Sequence, residues 1–337
     1  MSERIQQIDD FLASEGWHGA TRVPLAGDAS FRRYERVSLN GRSAVLMDAP
    51  PPDEDVGPFL RLTHLLRNMG YSAPEILAEA PLFGFLLLED FGDATYTNAL
   101  AAGADEVELY TRAVDLLINL HERRDEHHLP PGIHSLNEQM LLEEANLLVD
   151  WYMPKIIGIP TDPIFRHEYD DIWRRLLSRI GRGEPALVLR DYHADNLMWL
   201  PERPGIAACG LLDYQDAVLG SAAYDLMSLL EDARRDLRAG LAAHLLEHYR
   251  KAFPTMDWSM FQSTYTVLAA QRHCKVIGIF TRLAERDDKY DYLIHIPRVW
   301  ALLENTCRHP LLAPLKAWLD RHLPEEKRRS AIQSVNV

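Results

Sequence analysis

A cluster of polar residues interrupts two apolar runs in the segment LVLRDYHADNLMWL, residues 187–200. Asp191 and Asn196 are spaced there as D-x-x-x-x-N, and Asp213 ends the next apolar run, GLLDYQDAVLG. Burying a carboxylate without partners is costly, so we expect the cluster to face a cleft, a metal or a substrate. A carboxylate can orient or deprotonate an attacking hydroxyl, while an amide oxygen and a second carboxylate can hold Mg²⁺ on nucleotide phosphates. The order strand, Asp, Asn, strand, Asp therefore predicts phosphoryl transfer; the alternative is a hairpin loop with Asx turns and N-caps.

The composition limits the class of partner. A chain of 337 residues is longer than one hydrophobic core usually supports, which predicts two lobes. The net charge of -14 argues against nucleic acid, whose binding depends on Lys and Arg. No stretch approaches the roughly 20 apolar residues of a membrane span, and the three cysteines are spaced like core thiols. We therefore expect a cytoplasmic monomer that binds small molecules and neither nucleic acid nor a membrane.

The periodicity of the chain changes near residue 93. Short β-like runs with one helix at about 56–69 come before it, and helical patterns with two short strands come after it. The later helices are predicted around 137–153, 167–180, 222–236, 241–252, 261–286 and 297–306. This pattern predicts an α+β fold with a β-rich N-lobe at 1–92, a larger and mainly helical C-lobe at 93–325, and a polar tail at 326–337.

The polar cluster also resembles the motifs of a known family. LRDYHADN is similar to the catalytic loop H-G-D-x-H-x-x-N of the aminoglycoside phosphotransferases, and LLDYQDA is similar to their magnesium motif I-D-F-G-D. The resemblance covers nearly the whole chain and implies a protein-kinase-like fold with two lobes. It implies that the N-lobe covers the nucleotide and that the C-lobe carries the catalytic loop, the metal site and the sugar pocket. It implies that Asp191 is the catalytic base and that Asn196 and Asp213 hold Mg²⁺. His193 and Asp216 match further polar positions and are candidates for substrate binding. Asp225 of SAAYDL is expected to be structural, either as a brace of the catalytic loop or as a helix cap.

Four segments narrow the resemblance within that family. DASFRRYERV, VLMDAPP, LLLEDFGD and QRHCKVIGIFTRL are most similar to bacterial anomeric kinases of N-acetylmuramate and N-acetylglucosamine, enzymes of peptidoglycan recycling in the cell wall. This implies that ATP phosphorylates the anomeric hydroxyl of an amino sugar to give the 1-phosphate. One alternative is a phosphotransferase for aminoglycosides or another small-molecule hydroxyl, and a second is a pseudokinase-like nucleotide-binding scaffold.

The nucleotide half of the site departs from the family pattern. Met47 stands where the family presents a nucleotide-binding lysine, and the next helix lacks an internal glutamate to pair with one. A phosphate-binding cation must then come from elsewhere if ATP is bound, since a nearby charge contributes a few kcal/mol. The segment GDASFRRY lies where the phosphate-covering hairpin is expected, which makes Ser30, Arg32 and Arg33 candidates. The alternative is that they form an exposed basic turn.

The remaining candidates concern adenine and sugar. The backbone of Leu88, Glu89 and Asp90 is predicted to offer an N–H and a C=O to the adenine edge. Glu144, Tyr152, Arg272 and Lys275 lie on two predicted helices of the C-lobe. The family resemblance implies that helices of this lobe line the acceptor pocket. A lactyl carboxylate would favour Arg or Lys there. The alternative is that these helices have an ordinary solvated face and that Tyr152 belongs to the core.

Overall fold

The structure is a computed structural model that describes residues 2–25, 32–123, 132–181 and 185–328. The chain divides into two compact units. The N-terminal unit comprises Met1–Leu116 and Ala194–Ala217, and the C-terminal unit comprises most of the remaining chain, His134–His193 and Val218–Val337. Each unit is assembled from several segments of the chain, so its bounds are not directly comparable with those of a continuous domain. The division into domains at 1–92 and 93–325 remains a prediction. Among the described residues, no helix has the length and apolar character needed to cross a membrane.

A five-stranded antiparallel sheet forms the N-terminal unit, in the order β1-β2-β3-β5-β4. Its strands are β1 (Thr21–Pro24), β2 (Arg33–Leu39), β3 (Arg42–Asp48), β4 (Ile76–Ala80) and β5 (Phe85–Glu89), with helices α1 (Ser2–Ser14) and α2 (Gly57–Asn68). The apolar residues of α1 pack with one face of the sheet in a core that includes Phe11, Leu46 and Phe85. Every second residue of β3 and β5 faces this core, because successive side chains of a strand point to opposite faces of the sheet.

The turn between β2 and β3 is encoded locally. Asn40 and Gly41 both have positive φ, at 51° and 78°, and Leu39 pairs with Arg42 across the turn. Asn-Gly is the preferred pair for a two-residue hairpin because both positions require the left-handed region. This hairpin sets the register of β3, whose Met47 then pairs with Tyr34 of β2.

The N-terminal unit also contains two short strands that frame the segment 194–213. They are β7 (Leu197–Trp199) and β8 (Cys209–Leu211), and they pair antiparallel. One helix close to them is α3 (Tyr96–Ala101), and single 3-10 turns lie at Pro81–Phe83, Ala194–Asn196 and Gly205–Ala208.

The C-terminal unit is mainly helical. One helix, α4 (Glu106–Glu122), runs across the division between the units, and α5 (Glu138–Leu147) continues into π-helical turns at Leu148–Ile157. The following elements are α6 (Pro163–Leu177), β6 (Ala186–Val188), β9 (Val218–Gly220), α7 (Ala223–Leu230), α8 (Leu241–Ala252), α9 (Trp258–Asp287), α10 (Ile296–Thr306) and α11 (Ala313–His322), with 3-10 turns at Tyr290–His295 and Pro310–Leu312. β6 pairs antiparallel with β9.

The central element of this unit is α9, a helix of 30 residues that is buried on most sides between Val267 and Gly278. Gly278 allows it to pack closely against the end of α5. A Cβ added at Gly278 would lie 2.3 Å from the backbone carbon of Leu147. A helix buried on all sides places its polar residues inside the protein, where they need partners.

Most of the predicted helices are confirmed, and α8 has the predicted bounds. The helix predicted around 222–236 is wrong at its end, since α7 stops at Leu230. There the Asp232 side chain accepts a hydrogen bond from the Arg234 N–H at 2.9 Å. Such a turn competes with the helical backbone pattern. The expectation for the cysteines is confirmed, because Cys209, Cys274 and Cys307 are buried thiols.

Candidate active site

The loop that carries Asp191 begins directly after β6. Arg190 precedes Asp191 and has a left-handed backbone with φ of 71°, a conformation that costs a non-glycine residue about 1 kcal/mol or more. The carboxylate of Asp225 accepts the N–H groups of Leu189 and Arg190 at 2.6 and 2.9 Å. These hydrogen bonds hold the strained backbone in place. The prediction that Asp225 braces the loop is therefore confirmed.

Asp191 lies among cationic side chains of the C-terminal unit. Burial by itself would raise the pKa of Asp191, but the charge of Lys275 and the charges of Arg272 and Arg190 lower it below its ordinary value. Arg272 and Lys275 are both on α9, three residues apart, on adjacent turns. Asp191 is therefore ionised at neutral pH, the state that can orient a hydroxyl and accept its proton.

Glu144, on α5, connects two of these cations. It forms ion pairs with Arg190 and with Lys275, and the Lys275 Nζ lies 2.8 Å from Glu144 Oε1. The Gln271 amide also donates to Glu144, at 3.1 Å. Burial would raise the pKa of Glu144, but the charges of Lys275 and Arg190 hold it below its usual value. The Glu144 carboxylate is therefore committed to side chains of the protein.

His193 is only 6% exposed, and burial lowers the pKa of its imidazole. The negative charge of Asp232 opposes this shift, and the positive charge of Arg234 reinforces it. The lowered pKa keeps His193 neutral at pH 7, so it can take part in hydrogen bonds but does not bind an anion by charge. Its contact with a substrate remains a prediction.

The two predicted metal ligands come together in the N-terminal unit. Pairing of Leu197 with Leu211 in β7 and β8 aligns the residues that flank these strands. Asn196 Nδ2 lies 3.5 Å from Asp213 Oδ2, and the Leu212 N–H donates to the Asn196 carbonyl at 2.9 Å. The backbone of Asp213 is left-handed, with φ of 55°. Such strain at a non-glycine residue is typical of functional sites.

The donor chemistry of this pair fits Mg²⁺. Mg²⁺ prefers oxygen ligands and usually binds through one or two side chains together with water and phosphate oxygens. Asn196 carries both an amide oxygen and an amide nitrogen, so rotation of the amide exchanges the atom that faces Asp213. Within the described residues, no group of three or more His, Cys, Asp or Glu could hold a metal by itself. A metal at Asn196 and Asp213 would therefore depend on ligands from a bound nucleotide.

Gln215 stands where the family motif has a glycine, and its amide connects two carboxylates. The Gln215 Nε2 donates to Asp213 Oδ1 at 2.7 Å and lies 3.4 Å from Asp216 Oδ2. Asp216 thus lies beside Asp213, one of the two predicted metal ligands, in the N-terminal unit. A contact between Asp216 and a sugar remains a prediction. The sequence shows that a glutamine replaces the glycine of the motif, but its contact with Asp213 is seen only in the structure.

Arg32 lies close to the same carboxylates. Its side chain is 11% exposed, and Nε lies 3.3 Å from a carboxylate oxygen of Glu54. Burial would lower the pKa of Arg32, but the negative charges of Asp213, Glu54 and Asp216 help to raise it. A guanidinium is suited to bind phosphate oxygens, and the contact of Arg32 with a nucleotide phosphate remains a prediction.

The structure does not place the other positions considered for phosphate binding beside Asp213 and Asp216 as it does Arg32. Arg33 is exposed at the start of β2, which agrees with the alternative of a solvated basic residue. Ser30 lies outside the described residues. Met47 is 1% exposed and pairs with Leu86 of β5, so the position of the family lysine is part of an apolar core.

The structure limits the prediction for adenine at Leu88 and at the N–H of Glu89. Leu88 is paired on both sides within the sheet, and the Glu89 N–H donates to the Glu75 carbonyl at 2.8 Å. The Glu89 N–H is therefore unavailable to an adenine edge. The Asp90 carboxylate is held by Arg36, whose Nε lies 2.7 Å away. A backbone contact with adenine through the Glu89 carbonyl or through Asp90 remains a prediction.

Tyr152 belongs to the core. It is fully buried in the π-helical turns that follow α5, and its ring centroid lies 5.5 Å from that of Trp300. The structure thus favours the core alternative for this residue over the predicted sugar contact.

Arg190 is a site residue that the sequence did not single out. A charged residue before the predicted catalytic aspartate is not distinctive until its ion pair with Glu144 is seen.

Comparison with known proteins identifies the family. The model of the phosphotransferase enzyme family, APH, matches residues 21–259. The N-acetylmuramate/N-acetylglucosamine kinase of Caulobacter vibrioides is 36% identical, and the alignment covers 97% of this chain and 99% of that protein. The enzyme of the same name from Pseudomonas aeruginosa is also 36% identical, over 91% of each chain.

Solved structures show the fold. Choline kinase LicA from Streptococcus pneumoniae has a TM-score of 0.64 at 11% identity and covers 90% of this chain and 99% of that chain. The ADP-bound aminoglycoside phosphotransferase APH(2'')-Ib has a TM-score of 0.58 at 16% identity and covers 90% of this chain and 98% of that one. The predicted kinase-like α+β fold is confirmed. The chain belongs to the aminoglycoside phosphotransferase family and is a phosphotransferase that acts on a hydroxyl group.

Proposed function

We propose that this protein is an ATP-dependent kinase of N-acetylmuramate and N-acetylglucosamine. The product is the sugar 1-phosphate, formed at the anomeric hydroxyl, and the reaction belongs to peptidoglycan recycling. The observation that carries the proposal is the similarity to the Caulobacter vibrioides kinase, which extends over 97% of this chain at 36% identity. The similarity spans both units, so it includes the residues proposed for the sugar as well as those proposed for the nucleotide.

Each polar residue then has a defined task. Asp191 orients the sugar hydroxyl and takes up its proton as the phosphoryl group is transferred. Asn196 and Asp213 hold Mg²⁺, which when bound neutralises charge on the nucleotide phosphates. Arg32 contacts a phosphate and supplies the positive charge that Met47 cannot. Asp90 and the residue after it offer backbone groups to the adenine.

The two alternative functions are less well supported. Arg190, Lys275 and Arg272 surround Asp191 with positive charge. A polycationic aminoglycoside would be repelled there, whereas a neutral or anionic sugar would not. A pseudokinase scaffold is disfavoured because Asp191, Asn196 and Asp213 are all retained.

The test is an assay of the purified protein with ATP, Mg²⁺ and a panel of acceptors. We expect phosphorylation of N-acetylmuramate and N-acetylglucosamine, and a phosphorus-31 NMR signal coupled to the anomeric proton. Kanamycin and choline serve as rival acceptors. Phosphorylation of either rival in preference to both sugars, or a phosphate on a hydroxyl other than the anomeric one, contradicts the proposal.

A variant links the activity to the proposed base. Asp191→Asn should lower turnover by about 10²–10⁴-fold while ATP binding is retained, because a base acts on the acceptor. Asp195→Asn is the matched control, since Asp195 lies in the same loop but accepts a hydrogen bond from Thr97 at 2.5 Å. The control should lose far less turnover. Similar losses in both variants would remove Asp191 from this role.

A further inference from the structure

Two neighbouring cations on α9 differ in their partners. Lys275 has the Glu144 carboxylate at 2.8 Å and the Tyr224 hydroxyl at 3.4 Å. Arg272 is 5% exposed, and its Nη1 is buried without a hydrogen bond in the part of the chain that the structure describes. No carboxylate of these described segments lies within ion-pair distance of Arg272. A guanidinium that is buried in this way is costly unless an anion joins it.

The surroundings of Arg272 connect it to the acceptor side of the reaction. Its positive charge lowers the pKa values of Asp191 and Tyr224, so it lies within electrostatic range of the proposed base. Around Asp191, the three cations Arg190, Lys275 and Arg272 face two carboxylates with lowered pKa values, Asp191 and Glu144. The charge of Arg272 also acts on Asp225 and Glu231, but burial raises the pKa of each to about 7, so neither acid is fully ionised at neutral pH. Arg190 and Lys275 share Glu144, which leaves Arg272 as the cation that lacks a close carboxylate.

We propose that Arg272 binds the carboxylate of an acceptor sugar and thereby selects the muramate over the glucosamine. This inference rests on the proposed function. N-acetylmuramate carries a lactyl carboxylate, which N-acetylglucosamine lacks, and the two sugars are otherwise alike. A guanidinium can bind a carboxylate through two parallel hydrogen bonds, which lysine cannot do. A single residue can therefore discriminate between two acceptors that share the same reacting hydroxyl.

The experiment compares kcat/KM for the two sugars at saturating ATP in the wild type and in Arg272→Gln. We expect the ratio of muramate to glucosamine to fall at least tenfold, a change typical of losing one charged hydrogen bond. Arg272→Lys should give an intermediate ratio, because it keeps the charge and loses the paired geometry. Arg282→Gln is the matched control on the same helix and should keep the wild-type ratio.

The outcomes separate this inference from the proposed function. A wild type that phosphorylates neither sugar overturns both. If the wild type phosphorylates both sugars and Arg272→Gln lowers both values equally, the inference alone is overturned, and Arg272 serves the phosphoryl group or the fold. A comparison that needs no variant uses the wild type with muramate whose lactyl carboxylate is an amide. We expect a KM at least tenfold higher for the amide, and equal KM values would overturn the inference even if Arg272→Gln failed to fold.

Discussion

The Asp225 carboxylate holds the backbone of Arg190, whose N–H lies 2.9 Å from Asp225 Oδ1. A second hydrogen bond, from the Leu189 N–H, reaches the same carboxylate at 2.6 Å. Arg190 occupies the glycine position of the family motif and has a φ of 71°, so these two bonds compensate for its strain. The residue after it is Asp191, and its position therefore depends on a side chain 34 residues further along the chain.

The first prediction concerns this brace. Asp225→Ala removes both hydrogen bonds and leaves two N–H groups unpaired, which should lower the free energy of unfolding by about 2–4 kcal/mol. Asp225→Asn keeps one acceptor oxygen and should lose less. Urea denaturation measures both values. A loss below about 0.5 kcal/mol in Asp225→Ala would show that the loop is held by other contacts.

The second prediction concerns the pH dependence of turnover. Burial raises the pKa of Asp191, and the charge of Lys275 lowers it more strongly than any other group. Lys275→Met should therefore raise the Asp191 pKa, and the acid limb of kcat/KM should move to higher pH. Glu144→Gln removes a negative charge instead and should not move the limb upward. The measurement is kcat/KM from steady-state rates at several pH values in the acid range. If the acid limb of Lys275→Met lies at the same pH as in the wild type, the prediction is wrong.

The third prediction concerns Asn196 and Asp213, the two proposed ligands of Mg²⁺. Asp213→Ala should abolish the Mg²⁺-dependent part of ATP binding, since Asp213 supplies the only carboxylate of the proposed pair. Calorimetry of ATP binding with and without Mg²⁺ measures this directly, without turnover. Asp93→Ala is the control, because that side chain is 77% exposed on the same unit. Unchanged Mg-ATP affinity in Asp213→Ala would place the metal elsewhere.

The fourth prediction separates two adjacent arginines. Arg32 lies near Asp213 and Glu54, whereas Arg33 is exposed. Arg32→Ala should raise the KM or Kd for ATP by about tenfold, the effect of losing roughly 1.4 kcal/mol of charge interaction. Arg33→Ala should stay close to the wild type. Equal effects in the two variants would indicate a general loss of positive charge rather than a contact by Arg32.

The fifth prediction concerns Glu231, a partly buried acid that is neither the proposed base nor a proposed metal ligand. Burial raises the pKa of Glu231 to about 7, against an ordinary value of 4.5. The folded state therefore holds the proton more tightly, so this contribution to stability is present below pH 4.5 and is lost as the pH rises to about 7. Glu231→Gln should reduce the pH dependence of the unfolding free energy in this range by roughly 1–3 kcal/mol. Glu79→Gln, at an exposed site on β4, should leave it unchanged.

Several features of the protein follow from the sequence alone because they depend on near neighbours. The Asn40–Gly41 turn is encoded by two residues that tolerate positive φ, and α8 by apolar residues at helical spacing. The meeting of Asn196 and Asp213 follows from two short strands that are joined by a short connection. In each case the interactions span few residues, so the local pattern contains the necessary information.

Other features were decided only by the tertiary structure. The sequence offers Arg32 and Arg33, or Arg272 and Lys275, as equivalent cations. Their difference depends on partners such as Glu144, which lies 131 residues before Lys275. The same holds for the Glu89 N–H, which the neighbouring strand segment occupies through Glu75. Whether a polar group is free to bind a ligand depends on which distant groups pack against it, and this packing is a property of the whole fold.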